Sequence, residues 1–125
     1  MKKGNTRHIR INDAIAQAIA TVIRSELSDP RIGTVVSVTR AEVTTDLKLC
    51  DVYISMGMVS NADFSQQNEA IESLMAALLK ARGFIRKRVA EIVNLRHTPE
   101  ITFIYDDSIA HGMRMRALIE EANKQ

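Results

Sequence analysis

Cysteine and aromatic residues are scarce in this 125-residue sequence, and each scarcity removes a class of protein. The single cysteine, Cys50, cannot close an internal disulfide or supply a cysteine-rich zinc site. It lies in an alternating apolar and polar run, so a small buried strand residue is expected there. Only five aromatics are present (Phe64, Phe84, Phe103, Tyr53 and Tyr105), which leaves the core to Ile, Val, Leu, Ala and Met. Few rings remain for stacking on nucleic-acid bases. No apolar run reaches the roughly 18 residues of a spanning helix, so no membrane contact is expected. The basic start "MKKGNTRHIR" leads into no apolar segment of the secretory kind, and a reduced, cytoplasmic protein is expected. Catalytic Ser/His/Asp groupings, the phosphate-binding glycine loop and the dinucleotide fingerprint are missing as well, so neither enzyme activity nor a cofactor is expected.

What is there is an ordinary globular balance, 46% apolar and 26% charged. The length suits one domain over 1–125, with 1–5 and 121–125 as flexible ends. The net charge of +2 hides a polarised distribution. Residues 1–10 hold Lys2, Lys3, Arg7 and Arg10 with no acid, a local +4. Residues 80–96 hold six cations against Glu91, a local +5. Between them, residues 42–79 hold six acids against Lys48, a local −5. If the two basic stretches meet in space, they form a footprint for a polyanion.

Periodicity predicts the elements. Ile11, Ile15, Ala18, Ile19, Val22 and Ile23 recur at helical spacing over 6–27, and "SDPRIG" with Pro30 and Gly33 ends that helix. Val36 and Val38, then Cys50, Val52, Ile54 and Met56, alternate with polar residues around "TTD", which predicts a hairpin with one solvated face. After the polar stretch "VSNADFSQQ", Ile71, Leu74, Met75, Leu78 and Leu79 form a helical stripe, and Ile85, Val89, Ile92 and Val93 continue it. One helix of that length would be unusual, and Gly83 in its interior would cost roughly 1 kcal/mol relative to Ala. Two helices joined at Ala81-Arg82-Gly83 are therefore expected. Pro99 breaks the second, "ITFIYDD" reads as a third strand, and a short helix closes the chain. Helices packed on one face of a three-stranded sheet, an α+β domain, follow from this order.

The junction in "LLKARGFIRKR" is the candidate site. A helix starting near Gly83 exposes unpaired amides at its positive end, and glycine lets a phosphate approach the backbone. Lys80, Arg82, Arg86, Lys87 and Arg88 surround that point with no acid among them. A solvated basic face explains such a cluster about as often, but the kink tilts the reading toward phosphate. Arg7, Arg10 and Arg96 form a second tier.

Two blocks of this sequence resemble the ribosome-binding factor A family: "DPRIGTVVSVTRAEVTTDLKLCDVYIS" and "ALLKARGFIRKRVAEIVNLRHTPEITFIYDDS", the latter with an Ala-x-Gly kink at Ala81 and Gly83. "GMRMRALI" continues the likeness, which covers about 7–120. The resemblance implies a KH-like type II domain, αββααβ, without the full Gly-x-x-Gly clamp loop. It also implies a monomeric assembly factor of the bacterial 30S subunit. Such a factor binds near the 5′-terminal helix of 16S ribosomal RNA, supports processing of its 5′ end and matters most in the cold. An assembly GTPase is a further partner to consider. Members often extend into a charged C-terminal tail; with the sequence ending at Gln125, that tail's role is expected to be absent or taken over.

Two rivals have their own residues. Asp106 and Asp107 suggest metal-dependent phosphoryl transfer, but neighbouring strand residues face opposite sides and no third ligand is near in sequence, so a capping role is expected and no metal. His8, His97 and His111 share no ligand spacing. Alternatively, the basic patch meets an acidic protein, which would make this a protein-interaction module.

Overall fold

The computed structural model describes residues 6–27, 36–57 and 64–106. The first helix, α1 (Thr6–Ser25), buries Ile11, Ile15, Ala18, Ile19, Val22 and Ile23, the stripe read from its spacing. It lies across strand β1 (Val36–Val43). Asn12 fixes that crossing, because its side-chain oxygen accepts the Val43 N–H at 2.9 Å.

Strand β1 runs antiparallel to β2 (Leu49–Met56), with Val36 opposite Met56 and Val43 opposite Cys50. A bulge between Val38 and Arg40 leaves Thr39 unpaired in the ladder, and its hydroxyl shares its single proton between the Tyr53 carbonyl and Asp106. The turn between the strands is tight. Thr44 and Leu47 close it through Leu47 N–H to Thr44 C=O at 2.9 Å, and Asp46 accepts from the Thr44 hydroxyl at 2.7 Å and the Lys48 N–H at 3.0 Å. Leu47 sits there at φ 62°, a conformation that leucine rarely adopts.

The third strand, β3 (Glu100–Tyr105), pairs parallel with β2, which gives the sheet order β1-β2-β3. A parallel pair needs a long crossover, and α2 (Phe64–Lys80) with α3 (Arg82–Ile92) supplies it. The buried Gln67 seats the start of α2 on the end of β2 by donating to the Gly57 carbonyl. Cys50, Val52, Ile54 and Ile101 from the inner sheet face meet Leu74, Leu78, Ile85 and Val89 in one core with the α1 stripe. The expected order of three helices and three strands is therefore present. The expected chain stop at 28–33 and the closing helix beyond Ser108 lie outside the described residues.

Two expected core positions are exposed. Leu79 is 61% exposed, because the buried arc of α2 is centred on Leu74, Ala77 and Leu78, and successive helical residues point about 100° apart. Ile92 shares the face of Ile85 and Val89, but it lies in the last turn of α3, where it edges a shallow groove with Ala14, Gln17 and Thr21. The helix junction also falls on Ala81 alone; Arg82 and Gly83 already belong to α3.

Candidate nucleic-acid interface

Ala81 breaks the helix at φ −88° and ψ 1°, with no side-chain cap on the new start. Its amide still donates to Ala77 at 3.0 Å, and its carbonyl accepts from Ile85 at 2.9 Å. Arg82, Gly83 and Phe84 between them form the exposed first turn of α3. Amides in the first turn of a helix have no partner within that helix and carry partial positive charge. A Cβ added at Gly83 would meet nothing within 4 Å, and its φ is not positive. Neither internal packing nor backbone conformation requires glycine there, so its bare side faces open space.

The basic residues divide by partner. Lys80, Arg82 and Lys87 are exposed and make no ion pair or hydrogen bond within the described residues. Gly83 and Lys87, four apart, share a face of α3. Arg88 is committed elsewhere: it grips Glu26 just beyond α1 with two hydrogen bonds, at 2.6 and 3.0 Å, and also bonds Glu91. The Glu26 hydrogen bonds raise the Arg88 pKa, and the same bonds hold the Glu26 carboxyl below its usual range. Arg86 turns away from the junction and donates to the Pro99 carbonyl at 3.0 Å and the Thr98 carbonyl at 2.6 Å, with Glu100 at 3.8 Å. It ties the α3–β3 connection to the helix.

The second tier gathers at the other end of α3. Arg7, Arg86 and Arg96 line a cavity of about 570 Å³ with Lys48 and His97, so the two basic stretches of the sequence do meet. Arg10, one turn into α1, is exposed but does not line it. Two features near the junction escape periodicity. Leu79 and Phe84 are exposed on either side of it, at 61% and 44%, among the unpaired cations. Phe84 lies off the Ile85–Val89 stripe, and that offset is the sequence signal for its exposure.

The carboxylate alternative has a different environment. Asp106 accepts from the Thr39 hydroxyl at 3.0 Å and faces Arg40 at 3.8 Å, while Asp107 lies outside the described residues. Among the described residues no three His, Cys, Asp or Glu side chains converge as metal ligands. Cys50 is buried, and burial pushes its thiol up to about 11, which suits an inert core residue.

Three helices over one face of a mixed sheet, with a broken helix pair whose exposed start is ringed by cations, define a KH-like α+β domain. Structures of that architecture match it: ribosome-binding factor A from Thermus thermophilus at TM-score 0.63 and 20% identity, over 78% of this chain and 94% of that one. A homology model of Thermus thermophilus ribosome-binding factor A, fitted into a cryo-EM map of its 30S complex, matches at TM-score 0.57 and 19% identity, over 77% and 91%.

The family model described as ribosome-binding factor A matches residues 7–119, and the chain belongs to that family. It is 41% identical to the ribosome-binding factor A of Lachnospira eligens, over 99% of this chain and 89% of the relative. It is 42% identical to that of Clostridium beijerinckii, over 96% of each.

Proposed function

We propose that this protein is a ribosome-binding assembly factor that binds free or immature 30S subunits through RNA phosphates at the α2–α3 junction. The observation that carries the reading is the junction itself, where the exposed first turn of α3, with open space at Gly83, lies among three uncommitted cations, Lys80, Arg82 and Lys87. The Thermus relative, fitted as a homology model into a map of its 30S complex, supports the same partner.

Contact near the 5′-terminal helix of 16S ribosomal RNA would favour one arrangement of that RNA and thereby assist late maturation and 5′-end processing. The factor needs no catalysis for this, only tighter binding to the immature form than to the mature one. RNA rearrangements slow on cooling, so the need is greatest in the cold. The protein acts in the cytoplasm as a monomer, with an assembly GTPase as the candidate agent of its release.

Co-sedimentation of the tagged chain on sucrose gradients tests this. Co-migration with free 30S and not with 70S is expected, with affinity falling roughly tenfold or more over a fourfold rise in salt. R82E with K87E should abolish that binding while the chain stays folded. Full binding by the folded double variant would remove the junction from the account. A second reading has one observation in its favour, the exposed Leu79 and Phe84 beside the cations, which also suits a protein partner. Ribonuclease treatment separates the two, because a protein contact survives it.

A further inference from the structure

We infer that the cavity between the start of α1, the β1–β2 turn and the α3–β3 connection is a site for a single nucleotide, distinct from the junction. Its floor is apolar, formed by Ile11, Leu47 and Leu95. Its rim holds Arg7, Lys48 and Arg96, all exposed and none in an ion pair within the described residues. An apolar floor under uncommitted cations complements a planar base joined to a phosphate. The volume of about 570 Å³ lies within the range of small-molecule sites, roughly 300–1,000 Å³.

The walls are held before any ligand arrives. Arg86 clamps the Thr98 and Pro99 carbonyls, which fixes the connection that carries Arg96 and His97. On the facing wall, His8 Nε2 lies 3.1 Å from the Thr45 carbonyl and ties α1 to the turn. That turn holds Leu47 in the left-handed region, where glycine or asparagine would sit more easily. The strained leucine places its apolar side chain in the cavity floor. Two carboxylates, Asp46 and Glu100, also line the cavity and accept hydrogen bonds only. A base carrying an exocyclic amino group offers these acceptors two N–H donors, whereas uracil offers only its single ring N3–H.

The nucleotide has two possible sources, an unpaired residue of RNA or a free nucleotide. Only the first rests on the proposed 30S function. Amide chemical-shift titrations of the full chain would use guanosine, adenosine and uridine 5′-monophosphates, inorganic phosphate and adenosine, with 30S co-sedimentation in parallel. The nucleotides should shift Leu47, Leu95, Arg96 and His97, with phosphate or adenosine alone at least roughly tenfold weaker and uridine monophosphate the weakest nucleotide. R7S with R96S, both exposed sites, should remove the shifts in a folded chain, and L47N should weaken them while relieving the turn.

Parallel loss of 30S binding in R7S/R96S assigns the site to RNA, and unchanged 30S binding assigns it to free nucleotide. Shifts confined to the junction, or reproduced in full by inorganic phosphate, overturn the site. If no nucleotide binds while 30S binding persists, the site falls and the function stands. If nucleotides bind and 30S does not, the reverse holds.

Discussion

Replacing Gly83 by alanine should move stability and binding in opposite directions. The residue lies in the first turn of α3 without a positive φ, and an added Cβ has empty space around it. Alanine therefore keeps the native backbone and removes the entropic cost of a helical glycine. The expected gain is roughly 0.5–1 kcal/mol, less than the mid-helix value if the end of the helix frays. With a urea slope of about 2 kcal/mol/M, the unfolding midpoint should rise by roughly 0.3–0.5 M. The same methyl group would stand where a phosphate must approach the amides of Arg82, Gly83 and Phe84. Loss of one charge-assisted amide–phosphate bond costs about 1.5–3 kcal/mol, or at least roughly tenfold in 30S affinity. Urea titration and gradient co-sedimentation of one preparation read both effects. A stabilised variant with undiminished binding would refute close approach at Gly83, and a destabilised variant would refute the account of the first turn.

Arg86→Ala should cost about 1–3 kcal/mol in urea unfolding, because it strips partners from the Thr98 and Pro99 carbonyls, whereas Lys87→Ala should stay within roughly 0.5 kcal/mol. A charge reversal at Arg86 consequently confounds folding with binding, and the Arg82 and Lys87 pair is the cleaner test. Cys50 should resist thiol reagents in the folded chain at neutral pH and react on unfolding; rapid native labelling would contradict its burial. Because its folded pKa lies above the unfolded value, the unfolded chain loses that proton first. Stability should fall as pH rises from the unfolded thiol value toward about 11, a loss that Cys50→Ala should diminish in alkaline urea titrations.

The order of elements was legible because period-two and helical spacing are local properties. The α1 stripe and the alternation of Cys50, Val52 and Ile54 come from the same geometry that buries them. Gly83 located the junction to within two residues, but the break belongs to Ala81, whose backbone departs from the helix without any unusual side chain. The roles of the cations were not legible. Arg86 and Arg88 look like Arg82 and Lys87 in sequence, and only folding brings Arg88 to Glu26, 62 positions away, and Arg86 to the Thr98 and Pro99 carbonyls. The meeting of Arg7 with Arg96 is only a condition in the sequence, since net charge along a chain carries no geometry. Leu47 gave no signal at all, because a left-handed leucine is invisible until the turn closes.

These commitments suggest why a helix that begins without a cap and carries a glycine in its first turn can still present charge. Arg88 anchors α3 to the segment just after α1, and Arg86 anchors it to the connection leading into β3, so the exposed cations ride on a fixed support. Glu26 offers a test of sign. If charge alone governs binding, Glu26→Gln removes a negative charge and should tighten the hold on a polyanion. If the clamp matters, the same change loosens α3, and 30S binding should weaken although the protein has become more basic. The clamp also predicts acid sensitivity. Glu26 is held below its usual range, so its contribution is present above the unfolded carboxylate pKa and is lost as pH falls through the folded value. Glu26→Gln should flatten that acid limb in urea titrations. Tighter 30S binding by Glu26→Gln, with an unchanged acid limb, would show that Arg88 and Glu26 are a surface pair and that α3 needs no anchor there.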